Sequence, residues 1–264
     1  FAALSAPFLG AALDRGGKRK PILFALLSTI GLLSFSLWFV EPGNDGISFT
    51  LIAMIWVTAS VFYTYSEVIH NAMLSDSGRP EVLTRLSGNG LALGNLASVL
   101  LFIAVLIMFA LPNQMGWPFS QPLCGIDASQ YEHFRIVGPI CAIWLAVFVA
   151  PFFMYVPDAG IKGANWFTAL KDGAKSLWST VQKVRQYQEV LKYLISRMIY
   201  ADGMYALLSL GAVYVALMFG WGIIELTAYA VWMSIFAVVG GFAGGYFDRW
   251  FGIKNALLLE IGAI

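Results

Sequence analysis

PILFALLSTIGLLSFSLWFV, residues 21–40, runs for twenty positions without an ionisable side chain. Lipid offers the backbone no hydrogen-bond partner, so a crossing segment must satisfy its own amides as a helix. At about 1.5 Å per residue, about 20 residues cover the hydrocarbon. The stretch meets that length, and GISFTLIAMIWVTASVFYTYS at 46–66 meets it again after the turn EPGND. The two read as a helical hairpin. Working outward, further spans cover about 89–111, 136–156, 193–219 and 226–247, with partial spans at either end of the chain. Composition agrees, at 59% hydrophobic and 12% charged against about a quarter charged in soluble domains. The pattern predicts an all-α, polytopic membrane helix bundle whose first partner is the lipid bilayer.

Alternate threading of these spans puts residues 14–20, 67–87, 157–192 and 248–254 on one side. Fifteen of the sixteen Lys and Arg residues lie in those segments or at their helix ends, and only Arg135 lies opposite. The positive-inside rule makes the crowded face cytoplasmic. A net charge of +1 carries no message about nucleic acid, and none is expected as a partner. Cys124 and Cys141 have no metal-binding spacing, and Cys141, inside an apolar stretch, reads as packing. No hydrolase, zinc-protease or phosphate-cradling signature occurs, so no catalytic residue, metal or cofactor is expected. Residues 157–192 form the longest polar interval. Trp166, Leu170, Leu177, Val181 and Val184 recur there at steps of three, four or seven, while Lys171, Lys175, Lys183 and Arg185 point elsewhere. This is an amphipathic helix for the inner membrane surface, or else a solvated connector.

Directly before the first full span, GAALDRGGKRKP at 10–21 packs five charged side chains into twelve positions, and GGYFDRWFGIKN at 244–255 repeats the gesture. Gly10 and Gly244 would let helices approach closely, and Gly17 and Gly252 would permit a tight turn. Asp14 and Asp248 stand where a carboxylate faces a helix N-terminus or an arginine. Arg15, Arg19 and Arg249 would anchor the loops at anionic lipid. Any short cytoplasmic loop tends to be basic and glycine-rich, but two copies flanking a long loop fit two fused parallel repeats.

The first copy resembles the G-x-x-x-D-R-x-G-R-R-like motif of the major facilitator superfamily at Gly10, Asp14, Arg15, Gly17, Lys18 and Arg19. The second resembles it at Asp248, Arg249 and Gly252, with the glycine one residue late. This resemblance implies an incomplete twelve-helix facilitator fold running from the end of helix 2 into helix 9. Residues 1–156 would be the N-terminal half without its first helix, 157–192 the central cytoplasmic loop, and 193–264 the start of the C-terminal half. A narrower resemblance lies in YSEVIHNAMLSDSGRPEVLTRLSGNGLALGNLASVL (65–100) and YLISRMIYADGMYALLSLGAVY (193–214). Both are similar to the autophagy-related vacuolar effluxer family, although Ser75 stands where a proline is usual. The family implies secondary, alternating-access transport of a small polar solute, with amino acids proposed for its vacuolar members and protons as a coupling ion. It places the chain in a bacterial inner membrane or, alternatively, a vacuolar one. A different class, a non-transporting sensor, scaffold or embedded enzyme on a facilitator fold, is open to the same sequence.

Ionisable residues at membrane depth are costly and mark function by default. Asp202 is the principal candidate: if its helix begins near residue 193, it lies about 13 Å along it. If the span begins at 203, Asp202 is merely a helix-start residue. Tyr200 and Gly203 match the family alongside it, and Arg197 would pair with a carboxylate on another helix. Glu67, closing the second full span after Tyr63 and Tyr65, would titrate or gate, or would simply be solvated. Gly90, Gly94 and Ser98 recur every four residues, as do Gly240 with Gly244 and Gly241 with Gly245. These small-residue stripes read as packing seams.

Overall fold

A computed structural model describes residues 2–15, 18–41, 46–75, 80–126, 131–158, 171, 173, 175, 177–180, 182–183 and 186–262, and among them there is no strand. The helices are α1 (Ala2–Arg15), α2 (Arg19–Ser36), α3 (Phe49–Ser75), α4 (Pro80–Val105), α5 (Leu111–Met115), α6 (Glu132–Arg135), α7 (Val137–Tyr155), α8 (Gln188–Phe219), α9 (Ile223–Phe251) and α10 (Ile253–Gly262). Six segments of them are long and apolar enough to cross a membrane: Arg19–Phe39, Phe49–Leu74, Leu86–Phe109, Glu132–Tyr155, Gln188–Phe219 and Ile224–Gly244. They are the six spans anticipated from the sequence, and the chain is an integral membrane protein in contact with the bilayer.

Large apolar side chains face outward along these spans, Leu32 at 72% and Leu217 at 79% exposure among them. In water that surface would collapse; in lipid, tails are as apolar as leucine, so helices associate through close packing and polar contacts instead. Two packed units result, Phe1–Asp76 with Ile126–Leu207, and Ser77–Gly125 with Leu208–Ile264.

In the first unit α2 packs on both α3 and α7, and α1 packs on α3. A small core of Leu13, Leu23, Ile69 and Met73 joins the ends of α1, α2 and α3, with Phe152, Phe153 and Val156 of α7 against it. At the opposite end α7 crosses α2 at Gly138. A Cβ there would collide with the Ser34 carbonyl oxygen and lie 3.0 Å from the Leu37 Cβ. Arg135 secures that end: its Nε donates to the Trp38 carbonyl at 2.7 Å, its guanidinium lies over the Trp38 ring, and it pairs with Glu41 at 3.3 Å. The single base on the sparse side is thus a clamp.

In the second unit α4 packs along α9. The seam is made by Gly88, Ala92 and Gly241: a Cβ on Gly88 would meet the Gly241 carbonyl at 3.1 Å, and one on Gly241 would meet Ala92 at 3.1 Å. The stripes expected at Gly90, Gly94 and Gly240, Gly244 are not the seam, since nothing lies within 4 Å of a Cβ at any of the four. At about 100° per residue, Gly90 and Gly94 lie on the far side of α4 from Gly88 and Ala92. A four-residue rhythm marks a face without saying which neighbour covers it. Beyond Val105 the helix widens into one π turn, Leu106–Ala110, before α5. Pro112 explains it: its ring would clash with the carbonyl four residues back and cannot donate to it.

Gly252 ends α9 at φ 74°, ψ 149°, a backbone region open essentially to glycine alone, and α10 starts at the next residue. This is the tight turn expected of it. Gly252→Ala is expected to cost about 1–3 kcal/mol, read as a lower thermal midpoint of the intact protein in detergent; an unchanged midpoint would show the turn relaxing freely.

Candidate functional site

Two polar constellations stand out. The first occupies the basic end of the first unit and gives Arg19 and Lys20 of the charged stretch 10–21 their roles. The first four N–H groups of a helix and its last four C=O groups lack intrahelical partners, and they carry partial positive and negative charge respectively. At the start of α2 the Asp158 carboxylate takes two of these donors: one oxygen accepts from the Arg19 N–H and the other from the Lys20 N–H, each at 3.1 Å. The side chains of those residues do the converse. Arg19 Nη1 donates to the Ala72 carbonyl in the last turn of α3 at 3.0 Å, and Nη2 to the Leu13 carbonyl in the last turn of α1 at 3.5 Å. Lys20 Nζ donates to the Phe153 carbonyl at 2.8 Å and to the Val156 carbonyl, both at the end of α7. Three negative helix ends therefore receive cations and one positive end receives an anion.

Charge-assisted bonds of this kind contribute about 1.5–3 kcal/mol each where partly shielded. Asp158→Ala is expected to lower the stability of the intact protein by about 2 kcal/mol, visible in detergent melts, with Asp158→Asn intermediate because its amide oxygen serves only one donor. Equal melts for all three proteins would remove the cap from this account.

Of the other members of the anticipated loop motif, Gly10 makes no close approach. A Cβ on Gly10 would find only Val68 at 3.8 Å, ordinary contact instead of the expected close approach. The closest approach to α1 comes from Gly173, where a Cβ would lie 2.8 Å from the Ala11–Ala12 backbone. Gly17 and the side chains of Asp14, Arg15, Asp248 and Arg249 lie outside the described residues. So do Trp166, Leu170, Val181, Val184 and Arg185 of the amphipathic pattern, whose Lys171, Lys175 and Lys183 are exposed and whose Leu177 is half-buried.

The second constellation joins α3 and α8. α8 is one unbroken helix of 32 residues, so Asp202 is a mid-helix residue and not a helix start. It lies seventeen steps, ~26 Å, from Phe219, while Glu67 lies eighteen steps, ~27 Å, from Phe49. Both measures run from the sparse-side end of a span, and each puts its carboxylate towards the basic side of a core about 30 Å thick. Tyr63 lies within electrostatic reach of Glu67 and of Tyr205. Tyr205 follows Asp202 by three residues and shares its helix face. Tyr63, Glu67 and Tyr205 thus share one electrostatic neighbourhood, and Asp202 lies one turn along α8 from Tyr205. Tyr200, two residues from Asp202 and so about 200° around the helix, turns away; its ring carries the Arg197 guanidinium at 5.6 Å. Arg197 makes no ion pair among the described residues. On the other side of α3, Tyr65 Oη and Ser5 Oγ of α1 share a hydrogen bond of 2.6 Å.

Sequence reading missed Asp158, because its partner amides lie 139 and 138 residues away and a carboxylate after Pro157 looks solvated. It missed Tyr205 although the three-residue spacing from Asp202 was available. No group of three or more His, Cys, Asp or Glu side chains could hold a metal among the described residues.

Comparison with known proteins adds the following. The family described as vacuole effluxer Atg22-like matches residues 75–263. An uncharacterized MFS-type transporter, YxiO of Bacillus subtilis (strain 168), is 22% identical over 212 residues, covering 80% of this chain and 46% of that protein. Autophagy-related protein 22 of Coccidioides immitis (strain RS) is 24% identical over 181 residues, covering 65% of this chain and 28% of its own length. The chain thus spans less than half the length of either curated relative. No solved structure matches it.

Proposed function

This chain belongs to the vacuole effluxer Atg22-like family, and on that premise we propose that the intact protein is a secondary transporter exporting a small polar solute, amino acids foremost, in exchange with or alongside protons. Residues 1–156 and 193–264 belong to two helical halves joined by the 157–192 loop, and alternating access comes from one half rocking against the other. The reading rests on Tyr63 of α3 lying within electrostatic reach of Glu67 and of Tyr205 of α8, with Asp202 one turn from Tyr205 in the middle of that helix. Carboxylates at hydrocarbon depth are expensive unless they bind an ion, a proton or a substrate. Their place near the basic side suits a proton that exchanges with that compartment, while Arg197 and Tyr200 on another face of α8 offer a cation and a ring to a substrate carboxylate. The Asp14–Arg15 and Asp248–Arg249 loops hold one access state closed. The membrane is a bacterial inner membrane, for which the kinship with the Bacillus transporter speaks.

The test is flux of labelled amino acids through liposomes containing the intact protein, with and without an imposed pH gradient. Uptake or release above that of empty liposomes, accelerated by the gradient, supports the proposal. Flux equal to that of empty liposomes under both conditions, from protein that retains its melting transition, contradicts it.

A further inference from the structure

The described residues between 171 and 183 are all helical, and one of them, Gly173, is buried against α1. A Cβ there would lie 2.8 Å from the Ala11–Ala12 backbone, and Ala12 itself is fully buried. The contact is side-on, since Ala11 stands four residues before the end of α1 at Arg15. At about 100° per residue, two sides of this segment can be told apart. Leu177 lies about 40° from Gly173 and is half-buried. Lys171, Lys175, Trp178 and Gln182 fall within about 60° of one another on the opposite side. All four are exposed, Trp178 at 67%.

Depth decides what that exposed side meets. The Leu13 carbonyl, next to the contact, accepts from the Arg19 guanidinium, and Arg19 opens the spanning segment Arg19–Phe39. Gly173 therefore meets α1 at the basic-side edge of the hydrocarbon. The polar layer beyond that edge is about 5–7 Å thick, thinner than a helix is wide, so a helical segment lying along the flank of α1 at this level is among lipid headgroups. Lysines there meet phosphates. A tryptophan ring two-thirds exposed would be uncovered apolar surface in water, but it suits the boundary between headgroup and acyl chain. No acidic residue shares the stripe, and neither Lys171 nor Lys175 forms an ion pair among the described residues. We infer that Lys171, Lys175 and Trp178 form a docking face for the anionic phospholipids of the basic-side leaflet, with Gly173 fixing the segment to α1 from behind. An acidic patch of another protein segment would match the lysines alone and leave the ring between charges.

The experiment uses the intact protein with Cys124 and Cys141 replaced by serine and an environment-sensitive fluorophore on Gln182→Cys. It is placed in nanodiscs of phosphatidylcholine, alone or mixed with phosphatidylglycerol, each with a phospholipid spin-labelled at the headgroup. Quenching reports docking. The docked-to-free ratio is expected to be about 25-fold higher with phosphatidylglycerol, about fivefold for each lysine, and to fall as salt is raised. Replacing both lysines, Lys171→Gln with Lys175→Gln, should bring the two bilayers level. A fluorophore on Thr180→Cys, about 160° around the helix from residue 182, should be quenched less than the one at 182. Equal quenching at 182 in the two bilayers overturns the face, as does an undiminished preference for phosphatidylglycerol in the double lysine variant, or equal quenching at 180 and 182. So does a photo-crosslink from benzophenone on Gln182→Cys to another segment of the protein in place of lipid. Every substituted position is exposed apart from the two cysteines, and a retained melting transition of the cysteine-free protein certifies the background.

Discussion

Asp202→Asn is expected to reduce pH-gradient-driven flux through the intact protein about tenfold or more, a loss of at least about 1.4 kcal/mol in the driven step, while the protein still inserts and melts normally. The amide keeps the size and hydrogen-bonding capacity of the side chain but can neither gain nor release a proton in the working range. If Asp202 carries the proton, flux without a gradient, driven by solute alone, should survive, and Asp202→Glu should retain a measurable response to the gradient. Glu67 lies within electrostatic reach of Tyr63, as Tyr205 of α8 does, so Glu67→Gln should give a smaller loss of the same kind. A gradient response in Asp202→Asn equal to wild type, at equal protein content, would move the coupling role elsewhere.

Gly138→Leu has the largest expected effect on folding. The α2–α7 crossing leaves no room for a side chain, because even a Cβ would collide with the Ser34 backbone oxygen. A backbone atom in a transmembrane helix yields less readily than the tip of a flexible side chain. The helices must separate, which strains the Arg135 clamp on Trp38 and Glu41. Overpacking of this kind costs about 1–3 kcal/mol, sometimes more, and a residue as large as leucine belongs at or above the upper end. Detergent melts would report it as a large fall in the midpoint. Gly90→Leu on the open face of α4 is the control and should leave the midpoint nearly unchanged. Equal melts for Gly138→Leu and wild type would mean that the two helices do not cross there.

The spans were legible in the sequence because hydrocarbon imposes a length on an uncharged run, and the six helical segments long and apolar enough to cross overlay the six runs. Their ends were less so. The apolar run that closes at Ser66 continues as helix to Ser75, since a helix emerging into water no longer needs apolar residues. For the same reason α8 begins at Gln188, five residues before the anticipated 193. The turn glycine at 252 was readable from its setting, and so was the possibility that the helix begins well before Asp202. What a single sequence could not carry was pairing between distant segments. The Gly88–Gly241 seam, the Gly173 contact with α1 and the Asp158 cap on α2 each join residues far apart along the chain, and periodicity reports only the face on which a residue lies.

Repeated crossing of a bilayer with the basic segments on one side is the expected topology, and labelling of cysteines in intact cells with a membrane-impermeant maleimide reads it out. In the intact protein with Cys124 and Cys141 replaced by serine, Lys18→Cys, Lys175→Cys and Lys254→Cys should all be protected until the membrane is permeabilised. Native Cys124, exposed in the loop after α5, should be labelled without permeabilisation. Reaction of Lys18→Cys and Lys175→Cys from opposite sides of the membrane would contradict the account.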